Sequence, residues 1–146
     1  MKNIEIRKAG QTDFEEVFAM IQEFAEFIGT PEKVSTSAIQ MWEEKDHIHC
    51  LVATYDGEPV GFATYFPAYY SWSGRAIYLD DLYVRQAHRG LGIGSALIQD
   101  VIRMAKEGGF RKVKWQVSKW NHQAIGFYKS LGAVIDDVEI NCDLKL

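Results

Sequence analysis

The stretch Tyr78–Met104, YLDDLYVRQAHRGLGIGSALIQDVIRM, carries the reading of the fold. Its centre, Arg89-Gly90-Leu91-Gly92-Ile93-Gly94, places three glycines at alternate positions. Before it, Ala76 to Val84 reads as a strand. After it, apolar residues recur at helical spacing from Gly94 to Glu107, and Gly108-Gly109 closes the run. A strand, a glycine-rich turn and a helix N-terminus form an anion site, because backbone N–H groups point at the ligand and missing side chains let it approach. Arg85, His88 and Arg89 add positive charge near the same point.

Two familiar phosphate loops do not fit. A mononucleotide P-loop ends in Gly-Lys-Ser/Thr, whereas Gly94 is followed by Ser95-Ala96. A dinucleotide loop has the spacing GxGxxG and an acid about 20 residues further on. Here the spacing is GxGxG, and the next strand ends Val117-Ser118-Lys119. Asp80-Asp81 also interrupts a strand that would be apolar in a dinucleotide-binding sheet.

Outward from this centre the chain reads as one α/β domain over residues 1–146. Residues 3–8 alternate as a first strand. Thr12 and Glu15 have the spacing of a capping box. Phe14, Val17, Phe18, Ile21, Phe24, Ala25 and Ile28 then form one helix face, ended by Gly29-Thr30-Pro31. A shorter helix from about Thr36 turns Ile39 and Trp42 inward. Residues 48–55 and 60–69 read as a hairpin around Asp56-Gly57, and Pro67 marks a bend or an edge. Residues 112–117 form a further strand. Asn121 caps a helix that Gly132 stops, and a last strand lies at 139–144. The expectation is a mixed central sheet, splayed after Val84 and flanked by helices.

A net charge of −4 argues against nucleic acid as a partner. No apolar run reaches membrane-spanning length, and the N-terminus lacks a signal-peptide core, so no membrane partner and a cytoplasmic location are expected. Cys50 and Cys142 read as buried thiols. His47 and His49 share a strand face, but no partner cluster is visible and no metal is expected. Trp42, Trp115 and Trp120 read as core.

Arg-Gly-Leu-Gly-Ile-Gly after a strand resembles the acetyl-CoA loop of the GNAT acetyltransferases, whose pattern is Q/R-x-x-G-x-G/A. Together with YLDDLYV, VGFATYFPAYYSW and WNHQAIGFYKSLGA, it resembles the spermidine/spermine (diamine) N-acetyltransferase branch, which includes thialysine acetyltransferases. The resemblance covers nearly the whole chain. It implies acetyl-CoA as cosubstrate, with its pyrophosphate on Arg89, Gly90, Leu91, Gly92, Ile93, Gly94 and Ser95. It further implies that Leu82, Tyr83 and Val84 bond the pantetheine arm and the thioester oxygen, and that Asn121 and Lys129 contact the coenzyme.

The implied reaction is attack of a neutral amine on a thioester. An alkyl amine with a pKa near 10.4 is neutral in only about one molecule in 10³ at pH 7, so a carboxylate must start a proton relay. Asp80 matches the family's relaying acid, usually Glu. By the period of two, Asp80 and Asp81 lie on opposite strand faces. Tyr128, in Phe127-Tyr128-Lys129, matches the general acid that protonates the departing thiolate. Asp81 and Trp72 are expected to help Asp80 hold the acceptor. Ile28 and Tyr70-Ser71 stand where polyamine-acetylating relatives carry acids. A short diamine, a lysine analogue or another amino acid is therefore as good a candidate as a long polycation. The resemblance also implies a homodimer. The alternatives are a non-catalytic acyl-CoA-binding domain on this scaffold, or acetylation of an aminoglycoside or protein N-terminus.

Overall fold

The structure, a computed structural model, describes residues 3–146. It divides into two compact units, Met1–Trp115 and Gln116–Leu146. The first contains β1 (Ile4–Lys8), α1 (Phe14–Phe27), α2 (Ala38–Glu43), β2 (His49–Tyr55), β3 (Glu58–Tyr70), β4 (Gly74–Val84), α3 (Ile93–Glu107) and β5 (Lys112–Lys114). The second contains α4 (His122–Ser130).

The sheet order is β1-β2-β3-β4-β5. The first four strands are antiparallel and β5 runs parallel to β4, so the sheet is mixed. A parallel pair needs a crossover, and α3 supplies it. On one face, Phe14, Val17 and Met20 of α1 meet Cys50, Val52, Phe62 and Tyr83. On α3, Ile93, Leu97, Ile98, Val101 and Ala105 are buried. A Cβ at Gly61 would stand 2.9 Å from the Tyr83 carbonyl and 3.4 Å from Leu97 Cδ1, so only glycine lets α3 approach the sheet there.

Several expectations are corrected. Thr12 and Glu15 do not form the capping box. Instead, Arg7 clamps Asp13 at 2.7 and 3.0 Å, and Asp13 Oδ2 accepts from Gly10 N–H at 2.7 Å. The ion pair holds Asp13 below the usual carboxylate range. Ser37 caps α2 by accepting from Gln40 N–H, and Trp42 packs edge-on against Phe14. Ile39 is exposed, because the six-residue helix turns only Ala38, Met41 and Trp42 partly against the core. Trp120 is half exposed. Cys50 is buried and its thiol is pushed up to about 12 by burial, whereas Cys142 is exposed.

The predicted strand 112–117 shortens to Lys112–Lys114, and no ladder forms at 139–144. The β4–β5 ladder ends at Tyr78↔Lys114, six residues before Val84. The outer edge of β4 from Leu79 to Val84 therefore has no strand partner among the described residues. Pairing of β4 with β5 thus stops well upstream of Val84, where the splay is expected.

Candidate active site

The β3–β4 register pairs Thr64 with Asp81 and Tyr65 with Leu79, which leaves Asp80 as the extra residue of a β-bulge. A bulge breaks the alternation of side chains and re-aims the residue it inserts. The order of Asp80 and Asp81 along β4 therefore does not by itself fix their faces. Their carboxylates feel one another: the charge of Asp80 helps to raise Asp81.

Asp80 is open to solvent, yet enough protein surrounds it that desolvation raises its carboxyl above the ordinary value. Asp81 is more enclosed. It accepts a hydrogen bond from the hydroxyl of Thr64, which is fully buried. Desolvation, then the Asp80 charge, push Asp81 up to about 6, against the opposing pull of the Thr64 hydroxyl.

This shift has a stability consequence. Asp81 ionises less readily in the folded chain than in the unfolded one, whose value lies near 3.9. The cost of ionising it is absent below about pH 4, grows as pH rises and is complete above about pH 6. Asp81→Asn keeps an acceptor for Thr64 and removes the charge. It should stabilise the protein by about 2–3 kcal/mol at pH 7 and leave stability unchanged at pH 3.5. Urea unfolding at the two pH values checks this, and equal stability of both proteins at pH 7 contradicts it.

Downstream of β4, Gln86–His88 forms a single 3₁₀ turn leading into the glycine loop. Gly90 and Gly92 have φ of +80° and +82°, a left-handed conformation that glycine adopts at no steric cost. Nothing lies within 4 Å of a Cβ placed at either position. The loop thus presents open space where a side chain would otherwise stand. Ala96 N–H bonds to Gly92 O at 3.0 Å, so the amides of Ile93, Gly94 and Ser95 precede the helical ladder of α3 and remain for an anion. Leu91 is exposed. Ile93 offers only its backbone, because its side chain is buried in the core. This cradle of left-handed glycines and leading amides suits an anionic group.

The positive charge expected around the loop is redistributed. Arg85 is neutralised by Glu16 at 3.0 Å and Glu23 at 3.1 Å, and it donates to Pro59 O. Arg89 donates from Nε to Val84 O at 2.9 Å, with its guanidinium 4.8 Å from the Phe27 ring centroid. His88 has a buried Nδ1 without a hydrogen-bond partner, and its ring lies against Tyr55. Tyr83 stacks on Phe24 and donates its hydroxyl to Glu23. Glu16 and Glu23 were not singled out from sequence, although their spacing of seven residues puts both on one side of α1.

Trp72 sits fully exposed in the turn between β3 and β4. Leu82 and Val84 are half-buried and pair with β3 on one side only, on the stretch of β4 whose outer edge has no strand partner among the described residues. His49 stacks on Tyr65, and no group of three or more potential metal ligands occurs among the described residues.

In the second unit, Asn121 caps α4, its Oδ1 accepting from Ala124 N–H at 3.2 Å. Tyr128 is buried, and burial raises its phenol above the ordinary value. Lys129 lies in the last turn of the helix.

The Acetyltransferase (GNAT) family matches residues 14–133. The chain is 37% identical over 145 residues to a thialysine N-epsilon-acetyltransferase of Sus scrofa, a match that spans 91% of this chain and 85% of that protein. It is 30% identical over 145 residues to the spermidine/spermine N(1)-acetyltransferase-like protein 1 of Homo sapiens, over 92% of this chain and 21% of that one. In fold it is similar to AAC(6')-Iy, solved with the bisubstrate analog CoA-S-monomethyl-acetylneamine, at a TM-score of 0.82 and 21% identity over 99% of both chains. The left-handed glycine cradle after a bulged, acid-bearing strand is thus met in a chain that belongs to the GNAT acetyltransferase family, in the branch of the thialysine and spermidine/spermine-type enzymes, and that is an N-acetyltransferase.

Proposed function

We propose that the protein transfers the acetyl group of acetyl-CoA to the primary amine of a small cationic acceptor, with a lysine-like amine or short diamine as its substrate class. The observation that carries this reading is Asp80. It is a carboxylate with a raised pKa, set by a bulge on the strand that leads into the glycine cradle. A carboxylate attracts an ammonium group, and one whose pKa is raised takes up a proton more readily than an ordinary aspartate. The relative named for thialysine supports the lysine-like acceptor. Ile28, Tyr70 and Ser71, which are uncharged, favour a short amine over a long polycation.

Acetyl-CoA supplies the activated acyl group. The amides of Gly90 to Ser95 hold its pyrophosphate, and the unpaired edge of β4 at Leu82, Tyr83 and Val84 hydrogen-bonds the pantetheine arm as an added strand would. A backbone N–H of that edge stabilises the negative thioester oxygen. Asp80 holds the acceptor ammonium, with Asp81 beside it and Trp72 toward the acceptor end of the cleft, and relays its proton through water. Tyr128 keeps its proton at neutral pH and gives it to the leaving sulfur. Asn121 and Lys129 contact the coenzyme. Both compact units serve one catalytic domain, a reading that the family match across residues 14–133 supports. The working form is a cytoplasmic homodimer, without membrane, nucleic-acid or metal partner.

A thermal-shift panel with acetyl-CoA, NADPH and ATP tests the cosubstrate, with stabilisation expected only from acetyl-CoA. In the same assay, Gly92→Val should bind acetyl-CoA about tenfold more weakly. Valine resists the left-handed backbone, and its branches enter the open space of the cradle. Undiminished binding by that variant would remove the glycine loop from the coenzyme site.

A further inference from the structure

The root of the glycine loop is tied to a helix far away in sequence. Glu23 of α1 uses both carboxylate oxygens: Oε1 accepts from the Tyr83 hydroxyl at 3.2 Å, and Oε2 accepts from Arg85 Nε at 3.1 Å. Tyr83 is the penultimate residue of β4, and Arg85 is the first residue after it. Arg85 N–H bonds Val60 O at 2.8 Å, and its guanidinium reaches Pro59 O and Glu16. Four residues on, Arg89 folds back to Val84 O and lies over the rings of Phe27 and Tyr83. Glu23, Phe27, Tyr83 and Arg89 thereby share one hollow of about 330 Å³.

We propose that Glu23 is a positioning residue for acetyl-CoA. By holding Tyr83 and Arg85 together, it fixes the path of the chain from the pantetheine-bonding edge of β4 into the pyrophosphate cradle. Neither set of backbone amides alone defines the coenzyme site. Their mutual placement does, and the only side chain that grips both flanks of Val84 is Glu23 among the described hydrogen bonds. A carboxylate accepts from both neighbours and carries the charge that pairs with Arg85. A glutamine there loses that charge and has one acceptor oxygen, so its amide N–H must reverse the hydrogen bond at the Tyr83 hydroxyl. Glu16, which reaches Arg85 alone, is not expected to have this effect.

The inference rests on the acetyl-CoA reading of the loop and is tested on the full chain by calorimetry and steady-state kinetics. Glu23→Gln is expected to weaken acetyl-CoA binding about tenfold. It should raise the acetyl-CoA KM in step, while kcat at saturating acetyl-CoA and the acceptor KM stay within about twofold. Tyr83→Phe, which removes one of the two donors, should weaken acetyl-CoA binding by a smaller factor and keeps the test open if Glu23→Gln folds poorly. Glu16→Gln should bind as wild type does. A purely structural role would lower the melting temperature and the active fraction without separating the two KM values. Wild-type acetyl-CoA affinity in Glu23→Gln and Tyr83→Phe overturns the positioning role alone. Failure of the wild-type protein to bind acetyl-CoA overturns the cosubstrate reading and this inference with it.

Discussion

Asp80→Asn is expected to lower the acceptor kcat/KM about 10²-fold or more at pH 7, while acetyl-CoA affinity stays within about threefold. General-base help is typically worth about 10²–10⁴-fold. The lower end applies, since an aspartate acting through water is a longer relay than a carboxylate in direct contact. Asparagine keeps the size and loses both the negative charge that attracts the ammonium and the basicity that starts the relay. The deficit should also depend on pH. As pH rises toward the amine's own value near 10.4, more acceptor arrives already neutral, so the variant should recover part of its activity. A uniform loss at every pH points to broken geometry instead, and wild-type kinetics in Asp80→Asn removes it from the mechanism. The raised pKa of Asp80 gives the wild-type acid limb a direction. Below the ordinary carboxylate range activity is lost, and the loss begins at a higher pH than for an unshifted aspartate.

Tyr128→Phe is expected to lower kcat by about 10–100-fold with little change in acetyl-CoA affinity. The variant removes one proton donor and almost no volume, so the packing of the buried ring should survive. The effect sits low in the usual range because a thiolate with a pKa near 8.5 already leaves tolerably well. Burial raises the phenol, so it stays protonated through neutral pH and ionises at a higher pH than an ordinary tyrosine. The wild-type profile should fall there, and the variant should show no such limb. Full activity in Tyr128→Phe, with the alkaline fall intact, leaves Tyr128 as a packing residue.

The parts of this protein governed by short-range pattern were legible in the sequence. The apolar stripe of α1, the turn at Asp56–Gly57, the Asn121 cap and the succession of β4, glycine loop and α3 all follow from neighbours within a few residues. What escaped depends on partners far along the chain. The bulge at Asp80 exists because β3 and β4 shift register, and no local feature of YLDDLYV announces that. Arg85 reads as a free cation beside the loop until Glu16 and Glu23, more than sixty residues earlier, are folded against it. Asp13 looked like the interior of a capping box, and Arg7 claimed it.

The C-terminal segment shows the reverse case. Val138, Ile140, Cys142 and Leu144 alternate with polar residues as a strand should, yet they form no ladder and stand exposed. Alternation shows that a segment can pair, and it does not by itself supply the partner strand. For the site, residue types carried more than geometry did. The proposed roles of Asp80, Gly92 and Tyr128 rest on their motifs, whereas Glu23 has no motif and is visible only through its two hydrogen bonds.

The most direct test of the central claim is turnover itself: release of free thiol from acetyl-CoA, with the product identified by mass, across lysine, thialysine, short diamines, spermine and an aminoglycoside. The account predicts acetyl-CoA-dependent thiol release matched one-to-one by mono-N-acetylation, with lysine-like amines and short diamines ahead of spermine and the aminoglycoside. Tight acetyl-CoA binding with no thiol release above hydrolysis for any small amine would contradict it.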